Sequence, residues 1–131
     1  MSWMDVLLDN RALRAVFGEV DPSLDDVDIH EVRLERDGGS LFLRLDLAEF
    51  PAVPPKKWVA QEANTVQIEL ELSSIHSLSI EGWGTERGAR LGIQRNSNGL
   101  IELTCLNVPT ITATGEWLSL RMMRAHKSLA R

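Results

Sequence analysis

Leu41, Leu43, Leu45 and Leu47 stand at every second position, with Phe42, Arg44 and Asp46 between them. Val66, Ile68, Leu70 and Leu72 repeat the pattern against Thr65, Gln67, Glu69 and Glu71. Successive side chains of a strand point to opposite faces, so a strict period of two builds one apolar and one polar face. A helix, with its period of 3.6, would scatter the same leucines around its axis. Leucine is not a strong strand former, but the alternation overrides that, because strand propensity mainly reports packing on a half-buried pleat. Shorter pieces of the same period occur at Val32/Leu34, Leu78/Ile80, Leu91/Ile93, "LIELTCL" and "TITATGEWLSLRMM". Asp37-Gly38, the polar "SSIHS" and Asn98-Gly99 supply turns between them. Residues 4–16 differ. Val6, Leu7, Leu13 and Val16 share one helical stripe, polar residues fill much of the rest, and Phe17-Gly18 supplies a stop. The pattern predicts an α+β, mostly β fold. Its core is an antiparallel meander of about six to eight short strands, open or half-closed, with an N-terminal amphipathic helix over part of the apolar face. The tail "RAHKSLAR" is expected to be frayed or helical. With 131 residues, a single domain, 1–131, is expected.

Charge narrows the partners. The net charge is −5, and no basic stripe of the kind that tracks a phosphate backbone is visible, so no nucleic-acid partner is expected. Residues 1–31 hold eight acids against Arg11 and Arg14, a local net of −6, while the C-terminal end leans basic. No stretch approaches the roughly 18 to 20 apolar residues of a membrane span. "MSWMDVLLDN" lacks the basic start of a secretory signal, so the cytoplasm is the expected compartment. Cys105 is the only cysteine, which rules out an intrachain disulfide.

A search for catalytic chemistry returns little. His30, His76 and His126 each stand alone, with no second ligand at metal-site spacing. Cys105 shares a strand face with Ile101 and Leu103 and reads as a small buried hydrophobe. "GWGTERG" lacks the spacing and the strand-to-helix context of a phosphate loop. Glu69 and Glu71 lie two apart on one strand, with Glu81 expected beside them on the next strand, and a solvated face accounts for all three. "DPSLDDVDIHE" is rich in oxygen ligands but lacks the EF-hand order. No enzyme activity, cofactor or metal is expected.

The connector "FPAVPPKKWVAQEANTV" carries Pro51, Pro54 and Pro55 ahead of Trp58. The proline-stiffened chain fixes where Trp58 enters, and both Trp58 and Trp83 read as core closures rather than ligand platforms. Trp3 and Phe42 are the aromatic residues expected to be available to a partner.

The order of features, "DIHEVRLERDGGSLFLRLDL", then "FPAVPPKKW", then "NTVQIELELSSIHSLSIEGWG", resembles the immunity protein 50 family of bacterial polymorphic toxin systems. Phe50, Pro54, Pro55, Trp58, Asn64 and the Gly82-Trp83-Gly84 turn carry most of it, and the likeness covers about two-thirds of the chain. The resemblance implies a stoichiometric inhibitor that binds the effector domain of a cognate toxin. The acidic start suits a basic target groove, so the expected partner surface is Asp21, Asp25, Asp26, Asp28 and Glu31, then Glu69, Glu71 and Glu81. Strand pattern alone also fits a small-ligand-binding β-domain. Oligomeric state is open at this stage.

Overall fold

The computed structural model describes residues 2–107 and 109–129. Six strands form one antiparallel sheet: β1 Asp28–Glu35, β2 Ser40–Asp46, β3 Thr65–Glu81, β4 Arg90–Arg95, β5 Ile101–Leu106 and β6 Thr110–His126. Their order is β1-β2-β3-β6-β5-β4, with β3 and β6 at the centre. Alternation places Leu41, Leu43, Leu45, Val66, Ile68, Leu70 and Leu72 on one face, all at most 1% exposed. They form one core with Ile101, Leu103, Cys105 and Ile111 from the other half of the sheet.

Two strands are much longer than the alternating runs suggested. β3 and β6 have 17 residues each and pair from Thr65↔His126 to Glu81↔Thr110. "SSIHS" is therefore not a turn between strands but an irregularity within β3. Ser74 adopts φ 52, and the register with β6 shifts between Ile75 and Ser77. Leu72 and Ile75, three residues apart, both pack on the core. Such bulges increase local twist, and the two ends of the sheet curl toward each other. The sheet does not close. Ahead of β1 and β4, Val27 and Ala89 meet in one isolated bridge, and the Leu91 amide donates to the Leu24 carbonyl at 2.8 Å.

The N-terminal amphipathic segment is two pieces, not one three-turn helix. A 3-10 turn, Trp3–Val6, precedes α1, Arg11–Phe17. Between them the chain extends at Leu7, and the Leu8 amide donates to the Leu118 carbonyl of β6 at 2.9 Å. A bond to the sheet thus replaces helix continuation, while Met4 and Leu13 still reach full burial.

The connector holds α2, Lys56–Ala60, whose first turn closes on the Pro55 carbonyl. Trp58 is half-buried, packs on the core and meets Phe50 with ring centroids 6.0 Å apart, in keeping with a closure at the sheet rim. Asn64 pins the tail: its Nδ2 donates to the Ser128 carbonyl at 3.0 Å and its Oδ1 accepts from the Ser128 amide at 2.8 Å. Of the tail "RAHKSLAR", Arg124 to His126 continue β6, and its last two residues lie outside the described residues.

Candidate functional site

The polar face of β1, β2, β3 and β6 is not simply solvated. Ser40, Asp46, Thr65 and Gln67 are at most 4% exposed. Each is bonded to a neighbour: Ser40 to Glu71, Thr65 to Asn64, Asp46 to His30, and Gln67 to an arginine. Arg124 donates to Gln67 Oε1 through Nη2 at 2.7 Å and Nε at 3.1 Å. Arg33 stands 3.2 Å from Glu31 and 3.6 Å from Glu69. Glu71 accepts from Ser40 Oγ at 2.7 Å and faces Arg121 at 3.5 Å. Phe42, expected on an exposed face, is 7% exposed because the Arg33 guanidinium lies over its ring, 4.1 Å from the centroid. That cation–π contact removes it as a surface anchor.

At one end of this face two histidines meet one carboxylate. Asp46 Oδ2 accepts from His30 Nε2 at 2.8 Å, and Asp46 Oδ1 accepts from His126 Nε2 at 3.1 Å and Gln67 Nε2 at 3.0 Å. Asp46 is the last residue of β2 and pairs in register with Asp28, the first of β1. A register shift between Ile29 and Glu31 leaves His30 as the extra residue in β1; a bulge of this kind re-aims a side chain, and the His30 ring reaches Asp46. His126 closes β6. Burial works to raise the Asp46 carboxyl, but the bonds from His30, Gln67 and His126 outweigh it and hold it below its ordinary value. Asp28 joins at the rim, its Oδ2 3.7 Å from His30 Nε2 and 2.9 Å from Arg87 Nη2.

These groups line a cleft of about 690 Å³ with Ile29, Val32, Trp83 and Pro109 among its walls. Trp83 is 69% exposed. The expectation that it closes the core fails because Gly82, at φ 72, turns the chain outward at the end of β3. The Gly82–Gly88 segment then crosses to β1, where Arg87 pairs with Asp28.

The expected partner residues are placed unevenly. Asp21 is engaged internally, accepting from the Met4 amide at 3.1 Å, from Arg14 Nη1 at 3.0 Å and from Ser2 Oγ. Trp3 is also tied inward, its Nε1 donating to the Pro22 carbonyl at 2.9 Å. Asp25 and Asp26 are exposed. Asp28 and Glu31 border the cleft. Glu69 and Glu71 sit among arginines, whereas Glu81 lies on the same strand ten residues beyond Glu71, about 33 Å along an extended chain. It does not join them.

Three cleft residues, Asp46, Arg87 and His126, had no signal in the sequence, since the two histidines lie 16 and 80 residues from Asp46. The histidines expected to stand alone are therefore paired through it. His76 is elsewhere, 3.0 Å from Glu116, and Cys105 lies in the core on the opposite face.

Among the described residues no helix is long and apolar enough to cross a membrane. A family model described as immunity protein 50 matches residues 9–126. No curated protein and no solved structure matches the chain.

Proposed function

Because the chain belongs to the immunity protein 50 family, we propose that it protects its cell by binding the effector domain of a cognate polymorphic toxin, as a stoichiometric inhibitor with no catalytic step of its own. The observation that carries this reading is a family match running from α1 to the end of β6. The protein would act as a single domain in the cytoplasm, with a protein rather than a nucleic acid or a membrane as its partner.

The partner surface we favour is the exposed pair Asp25 and Asp26, together with Glu31 and Trp83 at the cleft. On the polar face Glu31, Glu69 and Glu71 stand beside Arg33, Arg44 and Arg121. Its charges offset one another, so long-range attraction of a basic target falls to the acidic segment. Tryptophan is among the residues enriched at interface anchors.

Co-expression with the effector domain encoded beside this gene tests the reading. Wild type should restore growth. Asp25→Lys with Asp26→Lys should abolish rescue while the circular dichroism spectrum is unchanged. Failure of wild type to rescue from a demonstrably toxic neighbour would refute the function. Rescue that survives the charge reversal would refute the surface.

The cleft favours one second reading, a small-ligand-binding domain, since its volume falls in the range of about 300–1,000 Å³ common to ligand sites. Growth rescue by wild type and by His30→Ala alike would argue against a ligand in that cleft as the basis of function.

A further inference from the structure

We propose that Asp28, His30 and Asp46 form a binding site for a divalent transition-metal ion of the zinc class. One donor atom from each of Asp28, His30 and Asp46 lies within 4.8 Å of the other two. In a tetrahedral zinc site with bonds of about 2.0 Å, neighbouring donor atoms stand about 3.3 Å apart. The His30 Nε2 distances to Asp46 Oδ2 and Asp28 Oδ2 are 2.8 and 3.7 Å, one on each side of that value. His126 Nε2 lies outside this trio, 3.1 Å from the other Asp46 oxygen, Oδ1. Movements of about half an ångström bring both His30 distances to the tetrahedral spacing.

Donor chemistry selects the ion. One imidazole nitrogen with two carboxylates suits zinc and its neighbours, whereas calcium and magnesium take oxygen alone. Two carboxylates supply negative charge to a doubly charged ion, with Arg87 as a neighbouring cation on Asp28. The ligands come from paired strand ends: Asp28 and Asp46 are register partners, and His30 stands at the bulge between them. Outer groups are present too, with Gln67 Nε2 and His126 Nε2 donating to Asp46 Oδ1. Such groups orient ligands, and their loss ordinarily weakens metal binding about 10–100-fold. The cleft gives an entry path.

The competing reading is a satisfied polar network with no metal, in which both imidazoles donate to Asp46 and Arg87 neutralises Asp28. The two readings separate on titration of the chelator-treated full chain with zinc ion alone, followed by calorimetry and by thermal unfolding. Saturable binding of one ion per chain, with a rise in melting temperature, is expected. His30→Ala should weaken it at least about tenfold, and so should the near-isosteric Asp46→Asn, with folding of each checked by circular dichroism. His76→Ala, which alters a histidine away from the cluster, should bind as wild type. No saturable uptake by the wild type, undiminished binding by folded His30→Ala, or loss of binding in His76→Ala would each overturn the site. The growth-rescue assay is read separately, so this result and the toxin-binding reading can fail independently.

Discussion

Gly115 is where one added methyl group should cost most for its size. It lies in β6, opposite Ile75 of β3 and Ile101 of β5, with strands on both sides. A Cβ built there would stand 2.9 Å from the Ser73 carbonyl oxygen and 2.9 Å from Leu72 Cγ. Neither neighbour yields easily. The first is backbone in the longest ladder of the sheet, and Leu72 is 0% exposed. Overpacking of this kind costs about 1–3 kcal/mol, and the lower freedom of alanine in the unfolded chain returns about 0.4–1 kcal/mol. The net loss for Gly115→Ala is then about 1–2 kcal/mol. For a domain of this size that lowers the melting temperature by about 3–10 °C. Gly92→Ala is the control. Its Cβ would approach only Thr104 Oγ1, at 2.7 Å, a hydroxyl on a half-buried residue that can rotate away. Neither glycine has a left-handed backbone that would add strain. Gly92→Ala should remain within about 0.5 kcal/mol of wild type. Urea unfolding of both variants, with equal m-values confirmed, measures the difference. Gly115→Ala as stable as wild type, or less damaging than Gly92→Ala, would refute this account of the β3–β6 contact.

Two further outcomes follow from local chemistry. Arg11 bonds the exposed Asp9 carboxylate through its side chain and then through its backbone amide, which lowers the Asp9 pKa to about 2; a carboxyl NMR titration should find that value, and Arg11→Ala should return it toward about 3.9. Because the folded value lies below the unfolded one, whatever the pair contributes to stability is present above about pH 3.9 and fades as pH falls through about 2. Cys105 is 1% exposed and burial pushes its thiol pKa up, so a thiol reagent should label it only at the rate of unfolding; labelling of the native protein at the rate of a free surface thiol would contradict its place in the core.

What sequence pattern could reveal here follows the range of each signal. Alternation is local, and it identified the apolar faces of β2 and β3 and the buried position of Cys105. Asn98-Gly99 likewise marked the β4–β5 turn, where Gly99 adopts φ 79. Periodicity at residues 4–16 identified the apolar stripe but could not reveal that the Leu8 amide would prefer a carbonyl of β6 to the next helical turn. Glycines flanking Trp83 permit close packing and an outward turn equally, and the sequence holds nothing to choose between them. The His30–Asp46–His126 cluster was invisible for another reason. Its members come from three strands, and only the sheet order makes them neighbours.

The length of the β3–β6 ladder also shapes how the protein must assemble. β1 with β2, and β4 with β5, are hairpins whose partners are close in the chain. Thr65, by contrast, must find His126, so the central pairing has high contact order and folding belongs in the millisecond-to-second range rather than the microsecond range. During synthesis the inner edge of β3, with Val66, Ile68 and Leu70 on its apolar face, stays unpaired until β6 has left the ribosome. β6, the last of the six in chain order, fills the middle of the sheet, so a nascent chain short of it has a three-stranded β1-β2-β3 unit and a β4–β5 hairpin but no continuous core, and is a natural substrate for chaperones.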